Sequence, residues 1–268
     1  MKRLKMVDAE PTASLDVSTL EKLDNKNFHE INGLPSRGLL YPDGTKILGR
    51  PFTVREVKKL ATMTESNYHT VIKDVLTGCI RGVNIDDIAV SDKIYIIFWL
   101  RANTYKDSNF TTPYICEHCH RETEYSFDVG AFDFTYLSED FKASDLTITL
   151  LNGAVLALKY LTIADENRIN IFKASLRNGL SQYDDLDIAI ASMIESINGN
   201  KPSMKAACEY LNSIDPQSWA QLNTYVSKID FGVQPIIDAE CKHPDCRGVS
   251  QVKVTFRSDF FIPAYNAG

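Results

Sequence analysis

Apolar and polar positions along this chain follow two different periods, and the change of period divides it. From residue 53 the repeat is helical. "PFTVREVKKLATM" places Val54, Val57, Leu60 and Ala61 on one face, and its Thr53 and Glu56 form the capping-box pair of a helix start. "NYHTVIKDVLTG" continues the pattern with Tyr68, Val71, Ile72, Val75 and Leu76. Cys79 lies one step further along that stripe and reads as a packed thiol, whereas His69 falls off it and reads as a surface residue. In "VSDKIYIIFWLRANTY" the apolar run from Ile94 to Leu100 leaves no polar face. That run predicts a central helix buried on most sides, with Ser91 as its N-cap.

The period then falls to two. Thr123, Tyr125 and Phe127 alternate with Glu122, Glu124 and Ser126; further on, Val252, Val254 and Phe256 alternate with Lys253 and Thr255. Such alternation predicts half-buried strands. Between these regions "LTITLLNGAVLALKYLT" predicts a hairpin turning at Asn152-Gly153. Helical spacing returns in four short segments. They carry Ile169, Phe172 and Leu176; then Leu186, Ala189, Ile190, Met193, Ile194 and Ile197; then Met204, Ala207, Cys208 and Leu211; then Trp219, Leu222, Val226 and Ile229. Cys208, on its apolar stripe, reads as core. Asp184, Asp185 and Asp187 in "YDDLD" read as capping at a helix start.

Each alternating region is broken by a pair of cysteines: Cys116 and Cys119 in "YICEHCHRET", and Cys241 and Cys246 in "AECKHPDCRG". Each pair therefore sits at the tip of a β-hairpin. Two such knuckles face to face supply four thiolates, the ligand set of one structural zinc ion. The alternative reading has His118, His120 or His243 in place of a cysteine. His118, His120, Arg121, Lys242, His243 and Arg247 flank the pairs and offset thiolate charge, and Gly248 is expected to take a left-handed turn. Cys119 and Cys241 are separated by 121 residues. A closed site of this kind clamps distant segments and offsets the entropy of so long a loop.

The formal net charge of -6 points away from nucleic acid and anionic membranes, since phosphate binding needs an excess of Lys and Arg. No apolar run reaches the roughly 18 residues of a membrane span, and "MKRLKMVDAE" is followed by no apolar stretch of a secretory signal, which favours cytosolic synthesis. No phosphate-binding glycine loop, HExxH or GxSxG motif occurs, and no catalytic residue stands out. An enzyme is not expected.

The order of these motifs resembles the baseplate hub proteins of T4-like tailed bacteriophages. "LPSRGLLYP", "PFTVREVKKLATM", "DIAVSDKIYIIFWLRANTY", the divided zinc ribbon and the terminal "SDFF" carry the likeness, mostly over Gly33–Asp128 and Asp238–Phe261. The resemblance implies a virion structural protein or an assembly factor, found in the tail baseplate or in the host cytoplasm during assembly. Its implied partners are other tail or baseplate hub proteins, the tape-measure protein among them. A zinc-ribbon nucleic-acid module of a transcription or replication protein is the alternative, and it would need a basic stripe that Glu117, Glu122, Glu124, Asp238 and Glu240 interrupt.

The expected fold is α+β with five parts. Residues 1–32 form a polar arm, read either as ordered on a partner or as a loose terminus; 33–108 form a mainly helical domain. A split four-cysteine zinc ribbon covers 109–130 and 236–258, and a β-hairpin with a small helical subdomain, 131–235, is inserted between its knuckles. The tail, 259–268, is rich in Phe260, Phe261, Ile262 and Tyr265, which either fold back on the body or dock on another protein.

Overall fold

The structure, a computed structural model, describes residues 27–64, 66–105, 109–128, 132–176, 183–233, 236–254 and 258–262. Its fold is mixed α and β with small antiparallel sheets. Strands β1 (His29–Glu30), β2 (Leu48–Gly49) and β3 (Ile80–Arg81) form one sheet, so the end of the segment read as an arm is paired here, with Ile31 packed behind it. Helices α1 (Val54–Ala61) and α2 (Tyr68–Cys79) follow β2. No helix among the described residues is long and apolar enough to cross a membrane.

Helix α1 starts as its capping box requires: the Thr53 N–H and hydroxyl both donate to the Glu56 carboxylate, at 2.8 and 2.6 Å. Its inward face differs from the expected one. Val54 is 69% exposed and Ala61 is exposed, while Leu60 and Glu56 are buried. The reason is an ion pair. Arg50 donates from both terminal nitrogens to Glu56, at 3.2 and 3.3 Å, beneath the helix, which turns the helix towards this pair. The face of α2 is as expected, with Ile72, Val75, Leu76 and Cys79 buried.

Helix α3 (Val90–Thr104) is the centre. Ile96, Ile97, Phe98 and Leu100 are buried on different sides of it. Ser91 does not cap it. The cap is Ala89, which offers no side-chain bond, and the Val90 N–H donates instead to the Leu161 carbonyl. Three charged residues of α3 are buried, and each holds a distant segment. Asp92 accepts from the Ser36 N–H (2.9 Å), the Ser36 hydroxyl (2.5 Å) and the Tyr41 hydroxyl (2.7 Å), fixing the "LPSRGLLYP" turn. Lys93 meets both Glu166 oxygens, at 2.6 and 2.5 Å. Arg101 donates to the carbonyls of Phe260, at 2.7 Å, and Asn109, at 3.0 Å, and its guanidinium lies over the rings of Phe110 and Phe260.

That last contact decides between the two readings of the tail. Phe260 and Phe261, in the short helix α8 (Ser258–Phe261), are 0% and 1% exposed and fold back into the main core. Tyr265 lies outside the described residues.

After α3 the chain forms β4 (Asn109–Ile115) and β5 (Glu122–Asp128), then β6 (Phe134–Thr135). A second core follows, around Leu150, Leu156, Ile190, Cys208 and Leu222. It contains β7 (Thr147–Thr149), β8 (Val155–Leu158) and helices α4 (Ile163–Leu176), α5 (Asp185–Met193), α6 (Met204–Ser213) and α7 (Pro216–Ile229). The β7–β8 turn is longer than the expected two residues. Leu150 and Ala154 pair across it, and Gly153, at φ 86°, closes a three-residue loop. Helix α5 ends early. Ile194–Ile197 is strand β9, paired with β8, so the hairpin is a three-stranded sheet. Ile194 and Ile197 are β-branched, which suits a strand, and Asn198 and Gly199, both at positive φ, turn the chain directly after it. Leu186, expected inside, is 48% exposed; Asp184 caps α5 as expected, accepting from the Asp187 N–H.

The chain returns through β10 (Gly232–Val233), which pairs with β6, and continues through β11 (Ile236–Glu240) and β12 (Val249–Lys253) to α8.

Burial opposes ionisation of Glu56, but hydrogen bonds from Arg50 and Thr53 outweigh it and hold the carboxyl at about 2. A carboxyl lowered on folding adds stability above its unfolded pKa, near 4.5, and loses it as pH falls towards 2. The stability difference between wild type and Glu56→Gln, from urea denaturation, should therefore be level above about pH 5 and shrink steadily below it. Parallel curves down to the acid limit would contradict this role.

Candidate metal centre

Two hairpins bring the paired cysteines together. β4 and β5 pair from Asn109↔Asp128 to Ile115↔Glu122, and β11 and β12 from Ile236↔Lys253 to Glu240↔Val249. The alternation read in the sequence is visible in their burial: Thr123 and Phe127 point inward while Glu122, Glu124 and Ser126 point out, and Val252 is buried beside exposed Lys253. The base of the first hairpin, Phe110 and Phe127, belongs to the main core. Tyr114, Cys116, Ala239, Cys241 and Val252 form a small core of their own between the two hairpins.

Both knuckles are built to one plan. The N–H of the first cysteine donates to a carbonyl just past the second: Cys116 to Arg121 at 3.1 Å, and Cys241 to Gly248 at 2.9 Å. The residue after the second cysteine is left-handed in each, His120 at φ 55° and Arg247 at φ 49°. The left-handed turn expected at Gly248 thus falls one residue earlier. Gly248 answers to space instead: a Cβ there would lie 2.3 Å from the His118 ring.

The hairpins are joined without a metal. His118 Nε2 lies 2.9 Å from the Val249 carbonyl, and His243 Nε2 lies 3.1 Å from the Glu122 carbonyl. Carbonyls only accept, so each ring holds its proton on Nε2 in this contact. Both histidines stand two residues after the first cysteine, in "CEH" and "CKH", so a repeated Cys-x-His was readable in the sequence and its meaning was not. Tyr114 donates to the Ala239 carbonyl at 3.2 Å, and the Glu117 N–H donates to the Ser250 hydroxyl at 3.1 Å. Arg121 and Asp245 pair at 2.6 Å, linking the two tips. Ser250, buried against the Cys116 sulfur, carried no signal beyond its place in the alternation.

The sulfurs of Cys116, Cys119, Cys241 and Cys246 all lie within 4.8 Å of one another. Those of Cys116 and Cys246 are 3.8 Å apart, as are those of Cys119 and Cys241. A tetrahedron with zinc–sulfur bonds of about 2.3 Å has edges of about 3.8 Å, so the spacing fits that ion. The histidines are outside this group, and the rings of His118 and His243 lie against carbonyls of the opposite hairpin. Cys79 is buried in the main core beside Arg50, and Cys208 in the second core, where burial pushes its thiol up to about 11.

The four thiols differ when no cation is present. Backbone N–H donation, led by that of Cys119, brings Cys116 down to about 6, while burial pushes Cys241 up to about 12. Four thiolates crowded together repel one another, and a divalent cation favours the deprotonated form of all of them.

Gly248→Ala should force the His118 ring away from the Val249 carbonyl and weaken the joint between hairpins. A lower melting temperature for Gly248→Ala than for wild type is the expected result, with a smaller drop in a His118→Ala background, where the ring no longer stands in the way. Equal melting temperatures would show that the close approach at Gly248 carries no weight.

The family model of the T4 bacteriophage base plate protein matches residues 29–262. Comparisons with curated proteins and with solved structures give no significant match. The matched span runs from β1 to the end of the described chain and includes both cores and both hairpins. On that extent, the chain belongs to the T4 bacteriophage base plate protein family.

Proposed function

We propose that this chain is a non-enzymatic component of a contractile-tail baseplate hub, serving as a hub subunit or as a factor in hub assembly, with one structural zinc ion held by Cys116, Cys119, Cys241 and Cys246. The family match over residues 29–262 carries this reading. The four-thiol cluster supports the metal: four protein ligands fill a tetrahedral site and leave no position for a reacting water, so the ion's role is to hold the fold. The protein works in the tail baseplate, or in the host cytoplasm during assembly, against other tail or baseplate hub proteins, with the tape-measure protein among them. Residues 131–235 are the unit that the joined hairpins present.

The surface around the cysteines favours a protein partner over nucleic acid. Glu117, Glu122, Glu124, Asp238 and Glu240 are all exposed there, and Arg121 is already paired with Asp245. No basic stripe results.

Elemental analysis of the purified protein should find about one zinc per chain. Cys241→Ser should lose it, and Cys79→Ala should keep it; a metal-free wild type, or metal loss from Cys79→Ala, refutes the assignment. Mass spectrometry of purified virions and of tail-assembly intermediates tests the place. Presence in finished particles identifies a hub subunit, and presence in intermediates alone identifies an assembly factor. Absence from both overturns the hub reading.

A further inference from the structure

We propose that the cysteine cluster is also an oxidation site: in the metal-free chain, Cys116 bonds to Cys246 and Cys119 bonds to Cys241, giving two disulfides that join the hairpins across their interface. This does not rest on zinc being the native ion.

Three observations carry it. First, the two sulfur contacts at 3.8 Å both cross from one hairpin to the other. A disulfide needs about 2.05 Å, so each pair closes by roughly 1.8 Å, within reach of small side-chain rotations. Second, contacts other than the sulfurs join the same two hairpins: the two histidine–carbonyl bonds, the Glu117–Ser250 and Tyr114–Ala239 bonds and the Arg121–Asp245 pair hold them face to face. Third, backbone N–H groups of its own knuckle fix where each sulfur sits: Cys119 and His118 for Cys116, Arg121 for Cys119, His243 for Cys241, and Gly248 for Cys246. A bond within a knuckle must pull together two sulfurs held on one short turn, whereas a crossed bond draws one hairpin towards the other.

The chemistry needs a two-electron oxidant, here a peroxide. One thiolate attacks a peroxide oxygen, the O–O bond breaks, and the departing hydroxide takes a proton to become water. The sulfenic acid so formed is attacked by the facing thiolate. The S–O bond breaks, the S–S bond forms, and a second water leaves. Each disulfide uses two thiols and one peroxide and yields two waters. Cys79 and Cys208, each buried in a separate core apart from the cluster, stay reduced.

The test strips metal from the full chain with a chelator, adds hydrogen peroxide, alkylates remaining thiols and maps linkages by mass spectrometry of an unreduced digest. The expected result is loss of four of the six alkylatable thiols, with linked peptides pairing Cys116 to Cys246 and Cys119 to Cys241. Linkage of Cys116 to Cys119 and of Cys241 to Cys246, or retention of all the thiols, overturns the proposal. Two double variants guard against unfolding of the stripped chain. Cys119→Ser with Cys241→Ser leaves one crossed pair and should lose both cluster thiols. Cys241→Ser with Cys246→Ser leaves only the first knuckle and should keep them; the reverse order overturns the proposal. A zinc count of one with no crossed linkage would leave the metal reading intact while removing this one.

Discussion

Burying a charge is costly unless it is paired or hydrogen-bonded, and helix α3 buries three. The rest of the molecule is arranged around meeting that requirement. Asp92 draws in the turn at Ser36 and Tyr41, Lys93 draws in α4 through Glu166, and Arg101 draws in the chain end through the Phe260 carbonyl, 159 positions away in sequence. A helix apolar all round would bury equally well in several orientations. Three polar anchors at different heights and on different sides select one. The fold is thus centred on a helix whose apolar residues supply the burial and whose charged residues supply the register.

Much of this was legible from sequence, and the misses share a cause. The period-two runs, the capping box at Thr53, the central helix and the closed set of four cysteines follow from local pattern, and the structure contains them. What failed was decided by partners that belong to no local repeat. The inward face of α1 is set by Arg50, which belongs to no helical repeat. Ile194 and Ile197 extend the helical stripe of Ile190, and only the open edge of β8 decides for the strand. Ser91 looked like a cap because its residue type suits one, yet the Leu161 carbonyl meets the first helical N–H before it. The apolar tail was readable as apolar. Its destination depended on Arg101.

The two knuckles show the same limit at the site. The cysteines were visible as pairs, but the matching histidines two residues on were read as nearby positive charge or as alternative ligands. Their place in the fold is to carry the N–H that crosses to the opposite hairpin, giving an approximately two-fold exchange: each hairpin donates one imidazole and accepts one. The thiol cluster lies inside that exchange, which holds the two knuckles face to face.

The short pairing of β6 with β10 changes what the cysteine clasp has to hold. Read from sequence, the clasp closes a loop of 121 residues. In the fold, Phe134–Thr135 and Gly232–Val233 already meet, and the second core hangs beyond that junction, resting on α3 through Lys93 and Leu161. Topologically the segment from Tyr136 to Phe231 is a side branch on a stem. Loop entropy rises only as the logarithm of length, and here it is charged to the stem rather than to the cysteines. The branch is therefore free to lengthen, shorten or change its surface over generations without altering the geometry of the four sulfurs, so long as its two ends still meet at the same rung and α4 still brings Glu166 to Lys93.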